Sequence, residues 1–188
     1  LLNLESPVCS KGTPIKKTGP SLRISSECLK VAKGAGFGLV GLANNHIMDY
    51  GSTGLADTIK ICNENNLQVV GAGRNLEEAQ KHLIVEEKGL KLAFIAVTEH
   101  EFSIAEKNKP GAAPLDVIDN YWQIQKAKKE ADFVFVQVHG GNELFNQPRP
   151  GLRKYCKFYI DSGADAVLCH HSHVPGSYEF YNSKPIVY

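Results

Sequence analysis

The chain carries three imidazoles within four residues, at His170, His171 and His173, directly after the apolar run 166–169. Burying imidazoles at the end of a strand is costly unless each finds a polar partner or an ion, so this spacing favours a metal site over simple burial. In an extended segment, His171 and His173 point to the same side. Two adjacent divalent ions could then take one imidazole each, an arrangement that promotes the attack of water on a phosphoryl group.

Polar side chains of the types that bind metals also follow three other apolar runs. Because the carboxyl ends of parallel strands meet at one edge of an open α/β sheet, residues that are distant in sequence are expected to share a cleft there. Imidazole, carboxylate and amide oxygen together suit divalent Mn, Fe or Zn. The residues are Asn3 and Glu5 after the first run, Asn44, Asn45, His46 and Asp49 after the second, and His139 and Glu143 after the third.

His46 and Asp49 lie three residues apart, which places them side by side if the segment turns helically. A carboxylate that holds an imidazole ring suits that imidazole for proton donation in catalysis. The alternative is a hydrogen bond that only starts the following helix, and Asn44–Asn45 can equally be ordinary turn chemistry. The catalytic interpretation has the advantage that it explains all of the strand-end groups at once.

The elements that must position these residues alternate between strands and helices, in a single domain over residues 1–188. This alternation predicts an α/β fold with much parallel pairing. On helix 117–130, Tyr121 and Trp122 are predicted to lie in the core. Strands are predicted at 1–4, 37–42, 67–70, 133–138 and 166–169, hairpins at 82–87/90–97 and 178–181/186–188, helices at 25–33, 52–65, 117–130 and 151–162, a helical turn at 76–80, a tight turn at 71–75 and a loop at 108–114.

Bulk properties exclude several classes of partner. The formal net charge is +1 and the basic residues are dispersed, which predicts no nucleic-acid partner. No apolar run is long enough to span a bilayer, so we expect no membrane segment in this chain. The five cysteines are scattered and odd in number, which favours free thiols and a reducing compartment such as the cytoplasm.

Five stretches of the chain resemble the CapA or PgsA-type proteins that are associated with bacterial capsule (poly-γ-glutamate) synthesis. The resemblance runs essentially end to end, and the motifs are long and occur in the family's order. The family is similar to the calcineurin-like metallophosphoesterases, which implies a metallophosphatase-like layered α/β/β/α sandwich with mixed sheets. The stretches are NLESP at 3–7, GLANNHIMDYG at 41–51, VGAGRNLEEA at 70–79, VHGGNE at 138–143 and GADAVLCHHSHVPG at 163–176.

The resemblance also implies roles for individual residues around two divalent metal ions. His46 would be the catalytic imidazole and Asp49 its support. Glu5 stands where the family has an Asp. Asn44, Glu143 and His170 flank the ligands and are assigned to substrate binding. The implied metal ligands are Glu5, Asn45, His139, His171 and His173.

The family's first strand, with its Gly-Asp pair, and its continuation after the final Tyr have no counterpart in residues 1–188, so we expect a domain truncated at both ends. The implied function is a metal-dependent hydrolase linked to capsule biosynthesis. Its substrate would be an anionic polymer, a small phosphoester or a peptide, and its partners capsule synthase proteins. Two alternatives stay open: a non-catalytic component that binds the polymer or assembles the synthase, and a peptide-modifying enzyme such as an epimerase. Family relatives are often anchored at the cell surface, so the compartment also stays open.

Overall fold

The structure, a computed structural model, describes residues 1–188 and alternates short strands with helices, as the sequence predicts. None of the helices combines the length and the apolar character that crossing a membrane requires. The helices are α1 (Glu27–Gly34), α2 (Gly51–Glu64), α3 (Leu76–Ala79), α4 (Val117–Glu130) and α5 (Pro150–Asp161). The strands are β1 (Leu2–Asn3), β2 (Leu39–Gly41), β3 (Gln68–Val70), β4 (Ala72–Gly73), β5 (Leu83–Glu87), β6 (Leu90–Thr98), β7 (Gly111–Ala112), β8 (Phe133–His139), β9 (Ala166–His170), β10 (Tyr178–Tyr181) and β11 (Lys184–Val187).

Two main sheets form the centre of the molecule. The smaller sheet has the order β1-β2-β3 and is parallel throughout. The larger sheet has the order β10-β11-β9-β8-β6-β5: its inner pairs are parallel, and an antiparallel hairpin closes each edge. The predicted combination of parallel pairing with hairpins is therefore confirmed.

The alternation of side chains along β8 explains how the layers stack. Val134, Val136 and Val138 face a core that they share with α4 and α5. Gln137 and His139 point to the opposite face, toward the smaller sheet, because side chains alternate along a strand. A second core joins that smaller sheet to α1 and α2. The order of layers is helix, sheet, sheet, helix, so the predicted layered α/β/β/α sandwich with mixed sheets is confirmed.

Helix α4 begins and ends where the sequence predicts. Its N-cap Asp116 accepts hydrogen bonds from two backbone N–H groups of the first turn, which satisfies donors that the helix itself leaves unpaired. The prediction that Trp122 is a core residue is wrong, because its side chain is 66% exposed. The buried stripe of α4 instead runs through Asn120, Ile124 and Ala127, and Trp122 lies off that stripe.

A small two-stranded sheet replaces two features that were predicted to be irregular. Ala72 and Gly73, expected in a tight turn, form β4, and Gly111 and Ala112, expected in a loop, form β7. The two strands pair antiparallel over two residues each. Such short strands have no periodicity of their own, and their pairing depends on a contact between segments that are far apart in the chain.

Candidate metal centre

The ends of β1, β2, β8 and β9 bring the predicted residues to one edge of the two sheets. Parallel pairing aligns Asn3 with Gly41 in the smaller sheet and His139 with His170 in the larger one. Glu5 follows β1 directly, and the other predicted groups follow β2 and β9 in the same way. Because all of these strands run in the same direction within their sheets, the segments that follow them converge.

The five residues predicted to bind metal lie together at this edge. Glu5 Oε1 is 3.6 Å from His139 Nε2 and 3.4 Å from His173 Nε2. Asn45 Oδ1 is 3.1 Å from His139 Nε2, so this nitrogen faces two oxygens at once. The ring centroids of His139 and His171 are 4.8 Å apart. Four separate segments thus contribute to one cluster.

The cluster fits a divalent metal ion. Glu5, His171 and His173 offer ligand atoms that all lie within 4.8 Å of one another. The Nδ1 atom of His171 is buried and has no hydrogen-bond partner. A buried polar atom without a partner costs about 1–3 kcal/mol, and a bound cation would remove that cost. Two imidazoles and a carboxylate are also the donor set that Zn, Mn and Fe prefer.

The backbone at the two histidines is strained. His171 has a φ of 95° and His173 a φ of 56°, both in the left-handed region that L-residues rarely adopt. Residues are held in such conformations where the surrounding structure enforces them, most often at functional sites. Residues 171–173 therefore form a bend and not the extended segment on which the same-side prediction was based, and both imidazoles reach the cluster from that bend.

Burial keeps the imidazole of His139 neutral. Desolvation, with a smaller contribution from the neighbouring imidazole of His171, lowers the pKa of His139 to about 2. Burial also lowers the pKa of His170. A metal ligand must be unprotonated, so a neutral His139 is ready to bind. Asn3 Nδ2 lies 3.5 Å from Nδ1, the other ring nitrogen of His139.

His46 and Asp49 form the contact that their spacing predicts. The chain turns after β2, and His46 Nδ1 lies 2.7 Å from Asp49 Oδ2. The Asp49 side chain is fully buried, whereas 13% of the His46 side chain is exposed toward solvent. The arrangement can hold the ring in one orientation and leave its Nε2 free.

The side chain of Asn44 stabilises the turn after β2. Its side chain is fully buried. Its Nδ2 donates to the carbonyl oxygens of Leu4 and Leu42 at 2.8 and 3.3 Å, and its Oδ1 accepts from the His46 N–H at 3.1 Å. Both hydrogens of the Asn44 amide are therefore donated to these backbone carbonyl groups. The turn chemistry left open above therefore describes the contacts of Asn44, and a substrate contact of this residue stays a prediction.

His170 and Glu143, the other two residues assigned to substrate binding, differ in their position relative to the cluster. His170 lines an open cleft beside the cluster, which also contains Glu5 and His173, and it lines a narrow cavity beside the loop after β8. Glu143 is exposed on that loop and lines neither cavity. The structure thus brings His170 to the site and leaves Glu143 outside it.

Three residues near the site were not found from the sequence. Lys17 forms an ion pair with Asp49, although its loop shows no periodicity that could indicate this. Gln137 is buried between the sheets, and its Nε2 donates to Asn3 Oδ1 at 3.3 Å. Gln137 could have been found, because it lies two residues before His139 and so shares its face of β8. Glu99, at the end of β6, accepts from the Gly141 N–H and pairs with Arg149.

The amino-acid sequence of the chain matches a known protein family. The whole chain, residues 1–188, matches the family described as "Bacterial capsule synthesis protein PGA_cap". It is 38% identical over 170 residues to the "PGA biosynthesis protein CapA" of Bacillus subtilis (strain 168), covering 89% of this chain and 45% of that protein. It is 35% identical over 195 residues to the "Capsule biosynthesis protein CapA" of Bacillus anthracis, and this match covers 99% of this chain and 47% of that protein. The chain therefore spans about half the length of these two relatives.

A solved structure supports the fold independently. The crystal structure of a novel phosphatase from Mycoplasma pneumoniae matches with a TM-score of 0.56 and 16% sequence identity, over 87% of this chain and 54% of that one. At this identity the likeness shows a phosphatase-like fold alone. The family match, in contrast, extends over every residue of the chain and confirms the resemblance seen in the motifs. The chain belongs to the PGA_cap family of bacterial capsule synthesis proteins.

Proposed function

We propose that this chain carries the site of a metal-dependent hydrolase of the phosphoesterase type, linked to bacterial capsule or poly-γ-glutamate biosynthesis. The observation that carries the proposal is the convergence of carboxylate, amide and imidazole groups from four segments, with the His46–Asp49 pair on the same edge. Ligand-type groups without catalytic neighbours would suit a structural metal equally well. The additional His–Asp pair favours an enzyme.

Five residues would hold two divalent ions, of Mn, Fe or Zn. Bound ions would supply hydroxide at neutral pH and offset the charge of a phosphoryl group. Glu5 Oε1 lies 3.6 Å from His139 Nε2 and 3.4 Å from His173 Nε2, which suits this carboxylate as a ligand together with the two imidazoles. The fit rests on the donor set and on the unpartnered Nδ1 of His171. The ligands are Glu5, Asn45, His139, His171 and His173.

The chain's own proton-transfer group would be His46. Asp49 holds the Nδ1 side of the ring at 2.7 Å, which leaves Nε2 as the nitrogen that donates a proton to a leaving group. His170 lines the cleft beside the ligands and would contact the substrate. Glu143 would reach a substrate only if that substrate extends over the exposed loop after β8.

The link to capsule synthesis rests on the family and on the names of the relatives. It makes an anionic polymer of the poly-γ-glutamate type, a small phosphoester or a peptide the candidate substrate. It makes capsule synthase proteins the candidate partners. The net charge of +1 provides no strong general attraction for a polyanion, so recognition of the polymer would depend on the cleft itself.

The test is turnover by manganese-loaded protein, measured with p-nitrophenyl phosphate, bis-p-nitrophenyl phosphate and poly-γ-glutamate. We expect hydrolysis of at least one of them, and a loss of about 10²- to 10⁴-fold in kcat for His46→Gln with metal content retained. His82→Gln is the matched control, because His82 pairs with Glu130 away from the cluster. If metal-loaded protein hydrolyses none of these compounds, the hydrolase proposal fails and a role in synthase assembly becomes the better account.

A further inference from the structure

The loop that covers the start of α2 buries a lysine beside the His46–Asp49 pair. The Lys17 side chain is only 3% exposed, and its Nζ forms an ion pair with Asp49 Oδ1 and lies 3.0 Å from His46 Nδ1. The ring of Phe102 lies 5.8 Å from the ammonium group. A lysine ammonium is strongly hydrated and is seldom buried without a partner charge. The buried Lys17 charge is therefore matched to the buried Asp49 charge.

The two oxygens of Asp49 have separate partners. Oδ1 faces Lys17, while Oδ2 accepts from the Leu22 N–H at 2.7 Å and lies 2.7 Å from His46 Nδ1. Of the two groups that contact His46 Nδ1, only Asp49 can accept a hydrogen bond, because a lysine ammonium has donors and no acceptor, so a proton on this nitrogen is donated to Asp49 Oδ2. Because each oxygen is held from a different side, the carboxylate cannot rotate without breaking at least one of these contacts.

The loop that carries Lys17 also packs, through its backbone, against the segment that carries Asp49. The Ile15 N–H donates to the Asp49 carbonyl oxygen at 2.9 Å. Gly12 has a φ of +94°, and a β-carbon there would come within 2.5 Å of the Tyr50 carbonyl oxygen. These contacts hold the loop on the N-terminal side of Lys17, and the hydrogen bond from the Leu22 N–H to Asp49 Oδ2 holds it on the C-terminal side.

We propose that Lys17 is a positioning residue for the proposed hydrolase reaction, on which this inference rests: its ammonium group holds Asp49 Oδ1 so that Oδ2 holds the His46 ring. Removing the charge frees one side of the carboxylate, and His46 then loses its fixed orientation. No hydrogen bond or ion pair joins Lys17 to any of the five ligand-type residues, so we expect the Lys17 variants to keep their metal binding. The activity that is lost is that of the step in which His46 transfers a proton.

The first test compares Lys17→Met and Lys17→Gln with Lys16→Met, a substitution at the exposed neighbouring lysine. In manganese-loaded protein acting on p-nitrophenyl phosphate, we expect both Lys17 variants to lose about 10- to 100-fold in kcat, as for a weakened general acid, while KM and metal content stay near wild type. Lys16→Met should match the wild type. Full kcat in either Lys17 variant that folds, or a loss that appears only in KM, overturns the proposal.

The second test needs no turnover. In ¹⁵N-labelled, metal-free protein, the proton on His46 Nδ1 should give a slowly exchanging NMR signal, identified by its loss in His46→Gln. We expect this signal to shift or vanish in the Lys17 variants and to persist in Lys16→Met. An unchanged signal in the Lys17 variants overturns the positioning role. A wild type that shows the signal but hydrolyses nothing would instead count against the hydrolase function.

Discussion

Buried His139 makes the metal-free protein sensitive to acid. Its pKa is lowered from 6.5 to about 2, mainly by desolvation. Between these two pH values the imidazole is therefore neutral in the native state and protonated in the unfolded state. The unfolded state therefore binds more protons below pH 6.5, and the stability that His139 provides is complete above that value. It is lost progressively as the pH falls from 6.5 toward 2.

The size of this effect follows from the two pKa values. At pH 5 the unfolded imidazole is almost fully protonated and the native one is not, which corresponds to about 2 kcal/mol of lost unfolding free energy. At pH 7 the loss of unfolding free energy from His139 is close to zero, because the imidazole is mostly neutral in both states. A loss of about 2 kcal/mol is a large part of the stability of an ordinary domain.

The assay is urea unfolding of chelator-treated protein at pH 7 and pH 5, for the wild type and for His139→Gln. Titrating groups remote from His139 contribute equally to both proteins and cancel in the comparison. We expect the wild type to lose about 2 kcal/mol more than the variant on acidification. If His139→Gln loses as much stability as the wild type, His139 is not held neutral by burial, and the account of its environment is refuted.

Other predictions concern packing and polar contacts around the site. Gly41→Ala should lower the unfolding free energy by about 1 kcal/mol, because a β-carbon there would displace the buried Gln137 carboxamide and break its hydrogen bond to Asn3 Oδ1. Gly38→Ala, where a β-carbon meets nothing within 4 Å, is the control in the same urea unfolding measurements. A Gly41→Ala protein as stable as Gly38→Ala would contradict the close approach of the two sheets. Tyr159→Phe should cost about 1 kcal/mol in urea unfolding, because the buried hydroxyl donates to Asn120 Oδ1 at 2.6 Å. Unchanged stability would show that this hydrogen bond contributes nothing.

The sequence alone was sufficient for the features that depend on local pattern and on strand ends. His139 could be placed because a polar residue that ends an apolar strand must emerge at the sheet edge. The pairing of His46 with Asp49 followed from their three-residue spacing. The sequence predicts a helix over 117–130, and the structure shows Asp116 capping it directly before the first predicted residue.

The features that were missed depend on contacts between distant segments. Lys17 reaches the site only because its loop folds back onto the segment after β2, and no local pattern encodes that return. The short strands β4 and β7 form only by pairing with each other. Trp122 was assigned to an apolar face of its helix, but the face that packs on the larger sheet is the one with Ile124 and Ala127, and Trp122 lies off it.

Metal content tests the central claim most directly. Elemental analysis of protein purified without chelator and then supplied with Mn, Fe or Zn would compare the wild type with His171→Ala/His173→Ala. His82→Ala/His100→Ala is the matched control, because it removes two imidazoles that lie outside the cluster. The account predicts near-stoichiometric metal in the wild type and in the control, and its loss in the cluster variant. A wild type that takes up no metal, or a cluster variant that retains it fully, would contradict the account.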